Sequence, residues 1–196
     1  ITADRSFGMG RVDFAASNAK IRGRLAHNDR LAVVTGFIAA TPEGETVTLG
    51  RGGSDYSASI IGAALDAEEI EIWTDVDGMM TADPRKVKKA FPQSSITYEE
   101  AMELSHFGAK VIFPPTMRPA MERGIPIRIL NSFNPDFPGT VIQRAAAAAE
   151  TPRPGAATGI SSISAMTLIR LQGSGMVGVA GTAMRLFAAI ARARVN

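Results

Sequence analysis

The stretch that most constrains the fold of this chain is Thr46–Arg85, in which apolar runs alternate with glycine-rich and acidic loops. Val47–Leu49 has the character of a short strand, and Gly50–Gly53 interrupts it. Apolar side chains then recur on one helical face, at Ile60, Ile61, Ala64 and Leu65. A second apolar strand follows at Ile70–Trp73. Because two parallel strands need a crossover helix, the stretch predicts a βαβ unit in an α/β fold, with Ser54 as the helix cap.

Two polar clusters, Arg51–Asp55 and Thr74–Asp77, come directly after the two predicted strands. Open α/β sheets bind ligands beyond the carboxyl ends of their strands, and a helix N-terminus after glycines offers free N–H groups to an anion. Arg51 adds a planar guanidinium that suits a carboxylate or a phosphate. Asp55 has two interpretations: it stabilises the helix N-terminus through the helix dipole, or it binds a cationic group or a metal. The spacing leaves both open.

The composition excludes several classes of protein. A chain of 196 residues with 45% hydrophobic content can form one sizeable domain plus part of another. It has no cysteine, which excludes disulfides and thiolate metal sites and suits a cytoplasmic protein, and two histidines are too few for a zinc site. The net charge is +2, with basic and acidic residues dispersed, so we expect no nucleic-acid partner. No apolar run approaches the ~20 residues of a membrane span.

Three further patterns predict local structure. Leu31–Phe37 is a continuous apolar run, which predicts a strand that is buried on both faces. Thr41–Gly44 is a turn signal between strands, so a hairpin can interrupt the parallel pattern. Thr97 precedes Glu100 by three residues, which is the spacing of a capping box at a helix start.

The composition changes abruptly near residue 143. Gln143–Gly159 consists largely of alanine, proline and glycine, which is typical of a linker. After it, a strand is predicted to start at Ile160, and an amphipathic helix is predicted over Thr182–Arg194. The sequence therefore predicts one domain over residues 1–143, a linker over 144–158 and part of a second domain over 159–196.

Several motifs together resemble those of one enzyme family. In chain order they are TLGRGGSDYSA, IWTDVDGMMTADPR, ELSHFGAKVIFPP and PGTVI, and they are similar to the carboxyl-side lobe of aspartate kinase across residues 1–143. Their wording is most similar to the bifunctional aspartate kinase/homoserine dehydrogenases. The C-terminal segment resembles the start of an ACT domain. The resemblance implies an amino-acid kinase fold of the carbamate kinase-like type, an α/β/α sandwich, followed by an ACT-like α+β regulatory domain.

The activity that this resemblance implies is transfer of the ATP γ-phosphoryl group to the side-chain carboxylate of L-aspartate. The product would be 4-phospho-L-aspartate, at the first step of lysine, threonine and methionine biosynthesis, with Mg²⁺ bridging the phosphates. By the same resemblance, Arg51 and Ser54 would bind the substrate and Asp55 would be catalytic. The nucleotide would be lined by Thr74, Asp75, Asp83, Arg85 and Lys110. Such chemistry depends mainly on positioning and charge neutralisation.

The chain also departs from the family pattern. It lacks the family's KFGG-type lysine loop, so we expect a fragment with little or no activity by itself. Met80 stands where many relatives have a tyrosine near the adenine, and Phe113 where many have a histidine. An alternative function is an amino-acid-binding regulatory module without kinase activity. In that case the ACT region would form a homo-oligomer and bind threonine or lysine at Met176, Gly178 and Val179.

Overall fold

A computed structural model describes residues 1–106, 111–144, 157–163, 169–170 and 180–194. The chain divides into two compact units, residues 1–163 and 164–196. The described helices are α1 (Phe14–Leu25), α2 (Gly53–Leu65), α3 (Tyr98–His106), α4 (Pro114–Arg123) and α5 (Thr182–Arg192). The described strands are β1 (Ile38–Ala40), β2 (Thr46–Thr48), β3 (Ile70–Thr74), β4 (Ser95–Thr97), β5 (Ile127–Asn131) and β6 (Thr140–Gln143). Within these ranges, no helix is long and apolar enough to cross a membrane.

A mixed four-stranded sheet with the order β3-β5-β6-β4 organises the first unit. β3 and β5 are parallel, with Ile70 opposite Ile127 and Thr74 opposite Asn131. β6 runs antiparallel to β5 and parallel to β4. Because β3 and β5 are parallel and in register, their carboxyl ends meet at one edge of the sheet. The predicted α/β class is confirmed.

The main core forms where α3 and α4 pack with this sheet. Its fully buried side chains include Ile96, Met117, Ile127 and Ile129, which come from both the strands and the helices. Tyr98 is also fully buried, and its hydroxyl donates a hydrogen bond to the Ile125 carbonyl oxygen. Burial raises the pKa of Tyr98 to about 12, so the phenol stays protonated at neutral pH. α2 packs against α4 and α1 and thereby joins this core to a second one.

The predicted hairpin is present, but the predicted parallel βαβ pairing is wrong. β2 pairs antiparallel with β1, with Ile38 opposite Thr48, and these two strands form a separate sheet. β3 pairs with β5 instead, so among the described strands the crossover through α2 joins two different sheets. Strand, helix and strand are where the sequence predicts them. Which strand edges meet depends on long-range packing, which a local pattern does not encode.

The prediction of a doubly buried strand at Leu31–Phe37 is also wrong. Leu31 is 95% exposed and Val33 is 93% exposed, and neither lies in a strand. Phe37 has a φ of 71°, and its N–H donates to Gly53 O at 3.3 Å and to Ser57 Oγ at 2.9 Å. The chain therefore turns at Phe37 and is held to α2. An apolar run indicates burial only where another part of the molecule covers it, and the described residues leave Leu31 and Val33 almost fully exposed.

The capping box at the start of α3 is confirmed. Thr97 N–H donates to Glu100 Oε2 at 2.8 Å, and Glu100 N–H donates to Thr97 Oγ1 at 3.1 Å. These reciprocal bonds satisfy two N–H groups at the helix start that have no partner within the helix. β4 therefore passes directly into α3.

The described part of the second unit contains α5, as predicted from its amphipathic pattern. α5 begins after Gly181, whose φ is 83°. The proposed effector residues, Met176, Gly178 and Val179, lie outside the described residues, as does most of the predicted linker. The first compact unit continues to Ile163, which is beyond the predicted domain start at residue 159.

Candidate active site

A cavity of about 370 Å³ opens at the carboxyl end of β3. It brings together four of the five residues predicted to bind a nucleotide, namely Thr74, Asp75, Asp83 and Arg85. The rest of the wall includes Val76, Gly78, Met80, Ala82, Pro84, Leu104, Val111, Ile160, Ser161 and Ser162. The cavity thus combines an apolar wall with two carboxylates and one guanidinium. Its position beyond a strand end is the usual ligand position in α/β folds.

The loop after β3 is fixed to the sheet through Thr140. This fully buried residue at the start of β6 accepts a hydrogen bond at Oγ1 from Met79 N–H at 2.8 Å and donates one to Gln93 O. Gly78 has a φ of 124°, and a Cβ added there would lie 2.3 Å from Thr140 Oγ1. Only glycine therefore fits, because the backbone conformation and the close approach both exclude a side chain.

Asp77 joins the same loop to the end of β5. Its Oδ1 accepts hydrogen bonds from Asn131 Nδ2 at 2.8 Å and from Asn134 Nδ2 at 3.0 Å. Ser132 N–H also donates to Thr74 O at 2.8 Å. These bonds hold the carboxyl ends of β3 and β5 together, so Asp77 has a structural role that the sequence did not indicate.

Asp83 and Arg85 form a bidentate ion pair at the cavity wall. Arg85 Nε donates to Asp83 Oδ1 at 3.0 Å, and Arg85 Nη2 donates to Asp83 Oδ2 at 2.9 Å. The hydrogen bond from the Arg85 side chain holds the pKa of Asp83 below its ordinary value, so this carboxyl is ionised at neutral pH. The Arg85 side chain is 85% exposed, which leaves guanidinium N–H groups free to bind an anionic ligand.

The second cluster, Arg51, Ser54 and Asp55, lies at the N-terminus of α2. Ser54 is not the helix cap, contrary to the sequence prediction. The cap is Gly52, whose φ of 67° is left-handed and which makes no side-chain cap hydrogen bond. A Cβ on Gly52 would lie 2.9 Å from Phe113 Cβ. The close approach of Phe113 therefore places glycine at the cap position and moves Ser54 into the first helical turn.

Arg51 is held in place by an aromatic ring. Its guanidinium carbon lies 5.6 Å from the centroid of the Phe113 ring, a cation–π contact worth about 0.5–1 kcal/mol at an exposed site. Phe113 is also the residue that precedes α4. The start of α2 and the start of α4 therefore lie side by side. The sequence did not predict this pairing, because it joins residues far apart in the chain.

Asp55 lies in the first turn of α2 and is partly buried. Burial raises its pKa above the ordinary value, and a hydrogen bond from Ser54 Oγ at 3.3 Å opposes this shift. In the described part of the chain, no ion pair includes Asp55. Its charge is thus only partly compensated, which fits a carboxylate that meets a cationic ligand group.

We expect Asp55→Asn to be at least as stable as the parent at pH 7. Because the folded-state pKa is raised, the carboxyl contributes stability below its unfolded pKa and loses that stability as the pH rises through the folded pKa. The stability difference should therefore shrink as the pH falls through the raised folded-state pKa of Asp55, and it should have vanished once the pH is below the unfolded value of about 4. Urea unfolding at several pH values measures it, with Asp136→Asn, at an exposed acid outside both clusters, as the control for net charge. Lower stability of Asp55→Asn at pH 7 would contradict this account.

The two clusters do not share one cavity. Arg51, Ser54 and Asp55 are absent from the wall formed around Thr74 and Arg85, and α2 separates them from β3 in the chain. Lys110 lies outside the described residues, although the next residue, Val111, lines the cavity. Leu104 and the segment 160–162 also line the cavity, although no sequence pattern predicted them. No local signal identifies them, since their neighbours in the cavity are distant in the chain.

Comparison with known proteins agrees with this architecture. The sequence model of the amino acid kinase family matches residues 2–131. A bifunctional aspartokinase/homoserine dehydrogenase 1, chloroplastic, from Zea mays is 46% identical over 158 residues, which cover 81% of this chain and 17% of the relative. The chain thus spans about a fifth of the length of the curated relatives that it matches.

Two solved structures of E. coli aspartokinase III are also similar. The R-state complex with aspartate and ADP has a TM-score of 0.70 and 38% identity, and covers 76% of this chain and 34% of the aspartokinase chain. The T-state complex with lysine and aspartate has a TM-score of 0.73 and 32% identity, and covers 97% of this chain and 42% of the other. With the family match over residues 2–131, these similarities establish that the chain belongs to the amino acid kinase family.

Proposed function

We propose that this chain is the nucleotide-binding part of an aspartate kinase, which transfers the ATP γ-phosphoryl group to the side-chain carboxylate of L-aspartate. The observation that carries the proposal is the cavity that unites Thr74, Asp75, Asp83 and Arg85 at the end of β3. A similar solved structure is an aspartokinase bound to aspartate and ADP. The product is 4-phospho-L-aspartate, the first intermediate of lysine, threonine and methionine biosynthesis.

Within this proposal, different parts of the cavity wall bind the base and the phosphates of the nucleotide. Met80, Leu104 and Val111 are apolar and suit the base, whereas Arg85 is a cation suited to phosphate oxygens. Lys110 adds a second cation next to Val111 in the chain. Phosphoryl transfer needs little covalent chemistry from the protein, so positioning and charge neutralisation are what these residues supply.

The acidic residues of the cavity fit a magnesium–nucleotide complex. Mg²⁺ is usually held by one or two carboxylates together with substrate phosphates. Asp75 and Asp83 line the cavity, and the ion pair with Arg85 keeps Asp83 ionised. We propose that these two carboxylates hold the ion or its water ligands. The ion would neutralise phosphate charge during transfer.

The N-terminus of α2 is the proposed aspartate site. Arg51 would bind a substrate carboxylate, and its contact with Phe113 holds the guanidinium in place for this task. Ser54 is exposed beside it and can donate a hydrogen bond. Asp55 would bind the ammonium group of the substrate and orient the reacting carboxylate. This is the catalytic role that we assign to Asp55. The incompletely compensated charge of Asp55 supports this assignment.

Regulation and assembly follow the same analogy. One similar aspartokinase structure contains lysine in its T-state, so we propose an amino-acid effector, threonine or lysine, at Met176, Gly178 and Val179. We further propose a homo-oligomer formed through the ACT-like region. A cytoplasmic location is our proposal from the absence of cysteine, although the Zea mays relative is named as chloroplastic.

Calorimetry tests the proposed function directly. Titrating ADP with Mg²⁺ into the chain should give saturable heat at one site, and L-aspartate should bind whereas L-asparagine should not. In an assay of the whole polypeptide that contains this sequence, ADP formation from ATP should require L-aspartate. The Asp55→Asn substitution should abolish this ADP formation. An absence of ADP binding would overturn the nucleotide site, and ADP formation that ignores L-aspartate would overturn the choice of substrate.

A further inference from the structure

The segment Thr158–Ile163 runs along the loop that carries the cavity residues. Ile160 N–H donates to Thr81 O at 2.8 Å, and Ile160 forms a parallel bridge with Ala82. The segment is therefore attached by backbone pairing to the stretch that contains Met80 and Asp83. It also lies beyond residue 131, where the match to the amino acid kinase family ends.

Side chains anchor both ends of this segment to the first unit. Thr158 Oγ1 donates to Glu100 Oε1 at 2.8 Å, while the other oxygen of Glu100 forms the capping box of α3. Partial burial raises the pKa of Glu100, but hydrogen bonds from Thr97 and Thr158 outweigh this, so its net pKa lies below the ordinary value. At the other end, Lys86 Nζ donates to Ser162 Oγ at 2.7 Å. Because its pKa is lowered, Glu100 is ionised at neutral pH, and its carboxylate accepts hydrogen bonds from both Thr97 and Thr158.

Gly159 lets the segment approach α3 closely. A Cβ added at Gly159 would lie 3.0 Å from Leu104 Cδ2 and 3.4 Å from Thr81 O. Leu104 is itself part of the cavity wall. The segment is thus fitted against two parts of that wall, the loop after β3 and α3.

Ile160 combines a fixed backbone with an uncovered side chain. Its main chain is paired with the loop, yet the residue is 68% exposed and it lines the cavity. Met80, Leu104 and Val111 line the same cavity, so Ile160 adds to the apolar part of its wall. A flat apolar group that entered the cavity would cover these side chains and gain the free energy of removing them from water.

We propose that residues 158–162 form a wall of the nucleotide site, in which Ile160 covers one side of the base. This inference rests on the proposed function and adds to it a recognition element from outside the part of the chain that matches the family. Because Ile163 is the last residue of the first compact unit, the bound nucleotide also stabilises the segment through which the chain continues to residue 164.

Hydrogen exchange of the whole chain tests the wall. Saturating ADP with Mg²⁺ should slow amide exchange both in residues 74–85 and in residues 158–162, with the Ile160 amide slowed at least severalfold. Protection of 74–85 without any change in 158–162 would overturn the wall and leave the nucleotide site intact. Protection of neither segment would overturn the proposed nucleotide site, and the wall with it.

A pair of matched variants tests the part played by Ile160. Ile160→Ala removes three side-chain carbons, of which the base would cover about one to two, so ADP affinity should fall about tenfold. Ile163→Ala is the control, because Ile163 is 46% exposed in the same segment and does not line the cavity. Both side chains are exposed, so both variants should fold. Equal ADP affinity of Ile160→Ala and the parent would overturn the assignment.

Discussion

Gly78→Ala is expected to be the most damaging single substitution near the cavity. It imposes a disfavoured positive φ and drives a Cβ against Thr140 Oγ1, which accepts from the buried Met79 N–H. The φ penalty and the loss of this buried hydrogen bond together cost roughly 2–5 kcal/mol of unfolding free energy. ADP binding should be lost with it, because Gly78 lines the cavity and sets the path of the loop after β3. Urea unfolding and calorimetric titration with ADP measure the two effects.

Gly44→Ala is the matched control for Gly78→Ala. Gly44 has a φ of 92°, but a Cβ there would meet no atom within 4 Å. Its substitution should therefore cost only the conformational penalty of about 1–2 kcal/mol and leave ADP binding unchanged. If both variants lost the same stability, the close approach to Thr140 would have no energetic importance.

Arg85→Met is expected to weaken ADP binding by about 10- to 150-fold, which is the usual effect of removing a hydrogen bond between charged groups. The substitution removes the exposed guanidinium that lines the cavity beside Asp83. The affinity of the parent should fall as salt is added, and that of the variant should fall less, because one charge–charge attraction is gone. Arg85→Lys should restore part of the affinity, as a point charge without the planar fork.

Arg118→Met is the control for Arg85→Met. Arg118 is also exposed and also ion-paired, with Nε at 2.7 Å from Glu122 Oε1, but it lies outside the cavity. Calorimetry should therefore give the same ADP affinity for this variant as for the parent. Equal affinity of the parent and Arg85→Met would remove Arg85 from the phosphate site.

The local predictions that succeeded depend on residues close together in the chain. Periodicity or spacing over a few residues predicted three of them: the capping box of Thr97 and Glu100, helix α2 and the polar cluster after β3. Ser54 failed as a cap because a distant ring, Phe113, approaches the backbone at Gly52. A tertiary contact therefore overrode the local preference for serine at a helix cap.

The candidate site was predictable only in part for the same reason. Thr74 and Asp75 adjoin one strand end, and Asp83 and Arg85 follow in the same loop, so the motif that carries the resemblance contains all four. Of the apolar wall, the resemblance indicated Met80 alone, and the other residues could not be predicted. The wall requires α3, Val111 and residues 160–162 to converge, and the alternation of apolar residues does not indicate which distant segments meet.

By itself, the sequence determined the α/β class, the positions of α2, of the start of α3 and of α5, and the places of the glycine-rich and acidic loops, because backbone propensity and hydrophobic period act locally. Only the tertiary structure decided that β3 pairs with β5 rather than β2, that Leu31–Phe37 is exposed and that Ile160 joins the cavity. These outcomes depend on long-range packing, in which the free energy of a contact depends on which surfaces are brought together and not on either segment alone.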